Sequence, residues 1–185
     1  MSGGRMDALD TRATVSVGMA VALASIAMTF AALLLAYAIV RAQAPAWPPP
    51  GEAPLPPLWG WRLAATAAAL GGSWAMQRAA RATDVGRRRV AVRALLGAAL
   101  CGGAFLAVQC GAFATLRAAG VAPSSGLAAS VVYALSLFHG LHALVALALL
   151  VPTVARGGTR VHAVAAFWHL VTAVWVVMFL AVFVA

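Results

Sequence analysis

Residues 13–40 read ATVSVGMAVALASIAMTFAALLLAYAIV, 28 positions from Ala13 to Val40 without a charged side chain. At 1.5 Å per residue such a helix is about 42 Å long, more than the roughly 30 Å hydrocarbon core of a bilayer. It therefore spans a membrane with tilt, or projects beyond it. Arg12 and Arg41 bound the run. Ala42, Gln43 and Ala44 loosely resemble a signal-peptidase site, but the run is about twice the usual apolar stretch of a signal peptide and is read as a retained span.

The rest of the chain continues the pattern. Of the 185 residues, 64% are hydrophobic and 9% charged, whereas soluble domains carry about a quarter charged residues. Mean hydropathy is +0.95. A water-soluble core is excluded, and the length suits about four to six spans. The expected fold is all-α, a polytopic bundle of five transmembrane helices over about 13–40, 58–80, 94–116, 127–151 and 161–185, after an N-terminal segment 1–12. Pro45–Pro57, with Trp47, Pro48, Pro49, Pro50 and Gly51, cannot continue a helix and is read as a loop with an interfacial tryptophan. In the second span Arg62 and Arg78 leave 15 uncharged residues between them and are expected to snorkel from its ends. Pro123 to Gly126 opens the fourth span, and Pro152, Gly157 and Gly158 close it.

All 13 basic residues are arginine and most flank apolar runs, which points to membrane anchoring and not to nucleic acid. Ten arginines (5, 12, 78, 81, 87, 88, 89, 93, 156 and 160) fall on the side of the N-terminus, and three (41, 62 and 117) on the other. The positive-inside rule then puts the N-terminus in the cytoplasm and the C-terminus outside. Cys101 and Cys110 stand nine apart in one apolar run, on helix faces that cannot meet, so no disulfide is expected.

Polar side chains at membrane depth are functional suspects, because each needs a partner there. His139 and His142, three apart on the fourth span, can face one neighbour, and His169 beside Trp168 on the fifth can be that neighbour. Two readings stand side by side: a metal or haem site with imidazoles from two helices, or hydrogen bonds that pin the fourth and fifth spans together, with lipid head groups or water as further partners. Trp168, Thr172, Trp175 and Phe179 form one bulky stripe, suited to helix packing, to lipid or to another subunit. Gly103, Ala107 and Gly111 recur every four residues, either as a close-approach face or as scatter in an Ala-rich chain. The four acids, Asp7, Asp10, Glu52 and Asp84, lie outside the spans, which argues against a proton relay through this chain. No phosphate loop and no nucleophile with a base is present. Catalytic and metal-ligating residues are accordingly expected to be none.

Phe138, His139, Gly140, Leu141, His142 reproduces the FHGLH motif of subunit III of the haem-copper oxidases, the cytochrome c and quinol oxidase family. Phe167, Trp168, His169, Leu170, Val171 with Val174, Trp175 resembles its WHFVDxVW motif, Trp47 to Gly51 its WPPxG loop, and Phe105, Leu106 to Gln109 its third shared helix. The resemblance runs from about Gly18 onward, in the five-helix form. It implies a non-catalytic subunit of a bacterial plasma-membrane oxidase. Such a subunit carries no cofactor itself, packs against the catalytic subunit I that holds haem and copper, contacts other oxidase subunits and binds phospholipid. Three positions depart from the family: Ile26, Ala112 and Thr172 stand where it has intramembrane carboxylates. Roles that depend on those acids do not transfer. An accessory subunit of a nitric oxide reductase and a small haem-binding cytochrome using His139 or His142 with His169 are the alternatives; a transporter ranks below both, since no inverted repeat or broken helix is visible.

Overall fold

The computed structural model describes residues 3–52, 54–155 and 160–184, with side chains described only within 17–182. Among these, the chain forms α1 (Gly3–Gln43), α2 (Trp59–Asp84), α3 (Arg88–Ala118), α4 (Leu127–Ala155) and α5 (Val161–Met178), the last continued by a π-helical segment, Phe179–Val184. A 3₁₀ turn, Pro123–Ser125, leads into α4. Four segments are long and apolar enough to cross a bilayer: Val17–Gln43, Arg88–Ala118, Leu127–Ala155 and Val161–Val182. The protein is thus an all-α five-helix bundle and an integral multi-pass membrane protein.

The helix that stands outside those four is α2. Its 26 residues reach about 39 Å, enough to cross, but Arg62, Arg78 and Arg81 dilute its apolar character. Helix limits also differ from the expected ones. α1 extends back through the N-terminal segment to Gly3, since no breaker separates the two. α4 runs through Pro152 to Ala155 and does not stop before the proline. Pro152 withdraws one N–H from the Ala148 carbonyl, yet membrane helices tolerate this where side chains support the turn. Here Thr153 Oγ1 donates to Leu149 O at 2.7 Å. Arg156, Gly157, Gly158 and the side chains of Arg5 and Arg12 lie outside the described residues.

The most extensive helix pair is α2 with α3, and α5 packs on both α2 and α4. Small residues make the first contact possible: Ala65, Gly72, Ala75 and Ala79 on α2 are buried, as are Ala91, Ala94, Ala98 and Gly102 on α3. Where lipid is as apolar as the side chains, such close approach supplies the packing energy. The close-approach face of α3 therefore runs through Gly102, while a side chain at Gly103 would meet nothing within 4 Å. Of the expected Gly103, Ala107, Gly111 stripe, Gly111 is the glycine in a tight contact, and what meets it is the ring of Trp61, not a helix backbone.

α1 lies at the margin. In its most apolar stretch 6% of residues are buried, against 50% in α5. Phe30 and Tyr37 are its buried anchors, while Val21, Met28 and Leu35 face outward. At the Tyr37 end, Arg41 Nη1 donates to Tyr37 OH at 2.6 Å and its guanidinium lies 5.8 Å from the Trp47 ring. The α1–α2 loop is tied down by Glu52, whose carboxylate oxygens accept from Leu127 N at 2.6 Å and Ala128 N at 3.0 Å. Those amides open α4 and have no partner within the helix, so an anion there is favoured.

Candidate functional site

The Trp168, Thr172, Trp175 stripe of α5 turns inward. All three side chains are buried. Trp168 slides its ring between α2 and α3, against Gly72 and Gly102. Trp175 Nε1 donates to Thr66 Oγ1 of α2 at 3.0 Å, and Thr172 Oγ1 approaches Ala69 O at 3.5 Å. The stripe is internal packing and is covered by this chain's own α2, which leaves Phe179, half-buried against Trp59, as its outer end.

The three histidines diverge. His169 faces α2, with Nδ1 2.5 Å from Ser73 Oγ and Nε2 3.2 Å from Gln77 Oε1. Because an amide oxygen only accepts, the proton sits on Nε2 and the Ser73 hydroxyl donates to Nδ1. His142 donates from Nδ1 to Phe138 O at 2.8 Å, within its own helix, and lies 5.2 Å from the Phe30 ring of α1. His139 is 1% exposed and ringed by Phe30, Phe105 and Trp175, with centroids 5.9, 5.5 and 5.4 Å away. Its Nδ1 has no hydrogen-bond partner among the described residues. His139 and His142 do share a neighbour, but it is Phe30 on α1 and not His169. The histidine bridges of α5 run to α2, from His169 to Ser73 and Gln77 and from His162 to Asp84 at 2.8 Å, and not to α4.

Beside His139 lies a cavity of about 30 Å³, bordered by Cys101, Gly102, Phe105, Trp168 and Thr172. That takes little more than a water molecule, far below the roughly 300 Å³ at which ligand pockets begin. The imidazoles of His139, His142 and His169 do not converge on one point. Among the described residues no three of His, Cys, Asp and Glu come together as a metal site. Cys101 and Cys110 are free thiols.

No protein-family model and no curated protein matches this chain. The residues that the motifs single out must be judged on geometry. On that ground Phe105, His139 and Trp175 form the centre: Phe105 meets Trp175 edge-on at 5.0 Å and His139 at 5.5 Å.

A second polar cluster escaped the sequence reading. Arg62 of α2, Gln109 of α3 and Ser136 of α4 line a cavity of about 20 Å³ next to Trp175. Arg62 does not merely snorkel from the end of α2; it lines this internal space as well as a cavity under the α1–α2 loop. The partners on α2 were also missed. Thr66, Ser73 and Gln77 stand seven and four apart, one face of a helix, and that spacing was the available signal.

Proposed function

We propose that this chain is the non-catalytic subunit III of a haem-copper terminal oxidase in the plasma membrane of a bacterium. It crosses the bilayer five times with its N-terminus in the cytoplasm, and it supports a catalytic subunit I, which carries haem and copper, through helix packing and bound phospholipid. The observation that carries this reading is the meeting of three motif-bearing segments. Phe105 from the third-helix segment, His139 from Phe138–His142 and Trp175 from the last-helix segment lie in mutual ring contact at 5.0 to 5.5 Å. Residues chosen only for their motifs thus share one buried cluster, which is what a common packing scheme requires.

The interior chemistry supports a supporting role. His139 is encased in rings, His142 is satisfied by its own helix, and His169 by Ser73 and Gln77. No carboxylate lines the cavities beside His139 or Gln109, so neither offers a proton acceptor of the kind that relays use. α2 is the fifth crossing in this reading. Trp59 and Trp61 near its start and Trp74 in its second half are exposed, and the Arg78 guanidinium lies 5.4 Å from the Trp74 ring, an arrangement compatible with aromatic and arginine belts at two interfaces.

Purification of the tagged chain from its native membrane in mild detergent tests the proposal. A haem-bearing polypeptide should accompany it in fixed ratio, with the haem spectrum following that polypeptide. Isolation as a stable, haem-free monomer without such a partner would overturn it, and a nitric oxide reductase partner would reassign it.

A further inference from the structure

Near the turn that joins α2 to α3, the two helices enclose a cleft of about 290 Å³. The buried Ala75 and Ala94 form its floor, and the exposed Arg78 of α2 and Arg93 of α3 stand over it, with Trp74 and Gly97 at the end away from the turn. No carboxylate lines it. Among the described residues Arg78 lies against the Trp74 ring at 5.4 Å, and neither arginine has an ion pair. Asp84 is the one acid of the α2–α3 hairpin, and it binds His162 at 2.8 Å. Arg78 lies six residues before the end of α2, and Arg93 five after the start of α3. Both therefore sit about 7–9 Å inside their helix ends, close to the depth at which a head-group layer roughly 5–7 Å thick meets hydrocarbon.

We propose that Arg78 and Arg93 hold the phosphodiester of an anionic phospholipid of the phosphatidylglycerol class, whose glycerol and acyl chains run over Trp74 and Gly97 toward Leu70 and Leu100. Size and surroundings select this ligand. The cleft is close to the roughly 300 Å³ at which ligand pockets begin, many times the room that one water needs. A guanidinium stacked on an indole keeps its N–H groups for a phosphate. A free phosphate would leave Trp74, 65% exposed, and Leu100, 75% exposed, bare beside it, whereas a lipid covers them with the same molecule. Charge decides the head group: six arginines between positions 78 and 93 face Asp84 alone, which favours a net negative head over a zwitterionic one. α2 must cross the bilayer for this, as in the proposed five crossings. No partner subunit is needed, so a failure of lipid binding leaves co-purification with a haem-bearing polypeptide untouched.

The test uses the full chain, delipidated in neutral detergent and titrated with phosphatidylglycerol or phosphatidylcholine of the same acyl chains, with bound lipid counted by native mass spectrometry. One phosphatidylglycerol should be held about tenfold more tightly than phosphatidylcholine. Arg78→Gln with Arg93→Gln should abolish that preference. Arg87→Gln with Arg88→Gln removes the same charge from outside the cleft and should keep it. In nanodiscs, phosphatidylglycerol brominated on its acyl chains should quench a component of the tryptophan emission that Trp74→Phe lacks. That measurement decides if the cleft arginine pair fails to fold. Excess inorganic phosphate should leave the lipid in place. Equal retention of the two lipids would overturn the site, as would an equal loss in both arginine pairs or quenching unchanged in Trp74→Phe. Displacement by inorganic phosphate would also overturn it, and would assign the cleft to a soluble anion.

Discussion

The imidazole of His139 on α4 lies tilted against the indole of Trp175 on α5, centroids 5.4 Å apart, while the imidazole Nδ1 meets no acceptor among the described residues. An aromatic ring therefore suits the position better than its polar atoms do. Replacing an unsatisfied buried polar group by an apolar one of similar shape is close to neutral, or gains about 1 kcal/mol. His139→Met should thus hold or raise the thermal midpoint in detergent, whereas His139→Ala, which opens a cavity, should cost about 2–4 kcal/mol. A large loss in His139→Met would show that the imidazole has a polar partner in the membrane.

Trp168 fills the space that Gly72 and Gly102 leave. A methyl group on Gly102 would stand 2.8 Å from the indole, and one on Gly72 about 3.0 Å from it. Neither α2 nor α3 can retreat without losing the other. Gly102→Ala should destabilise by about 1–3 kcal/mol through overpacking. The adjacent Gly103→Ala meets open space and should be neutral, or gain up to about 1 kcal/mol from helix propensity. Reversible unfolding in mixed micelles would rank the pair, and an equal response would place the tight face elsewhere.

Glu52 links the α1–α2 loop to the start of α4 by two N–H donors, and Gly126 makes room for it. At φ +152° a side chain on Gly126 would run into the Glu52 carboxylate. Glu52→Ala should cost about 1–2 kcal/mol, the usual loss of an N-terminal cap. Glu52→Gln keeps one acceptor and loses the charge, so about 0.5–1 kcal/mol is expected. Hydrogen exchange at Leu127 and Ala128 should rise in the order wild type, Gln, Ala.

Much of the architecture was legible because membrane spans announce themselves by the absence of charge. α4 starts at Leu127 as expected, since the Pro123 to Gly126 turn must end before a helix can begin. α5 starts at Val161, the expected residue. The site was less legible. Polar residues in the spans are few, so His139, His142 and His169 could be found, but their partners could not: which way a histidine turns depends on the rotation of its helix. A rotation of about 100° per residue separates Gly102, which meets Trp168, from Gly103, which meets nothing within 4 Å, so a four-residue repeat cannot by itself decide between a close-approach face and scatter. Thr66, Ser73 and Gln77 give a weak signal in sequence because they are uncharged and lie in α2, the helix whose arginines already lower its apolar character. Gln109 stood in a motif segment, yet nothing in the chain order brings Arg62 or Ser136 beside it.

The crossing of α2 carries the topology, because the sides assigned to every later loop depend on it. Arg62 and Arg78 lie 16 residues apart, about 24 Å along the helix, so both can reach interfaces if their side chains extend outward. On a background of Cys101→Ala and Cys110→Ala, single cysteines at Leu55 and at Arg88 should react with a membrane-impermeant maleimide from opposite faces of sealed vesicles. Leu55 precedes α2 and Arg88 opens α3, so a crossing helix separates them whatever the overall orientation. Labelling of Leu55→Cys in right-side-out vesicles and of Arg88→Cys only after permeabilisation would also fix the N-terminus on the inner side, as the ten-to-three arginine bias requires. Labelling of both from one face would make α2 a re-entrant or interfacial helix and leave four crossings.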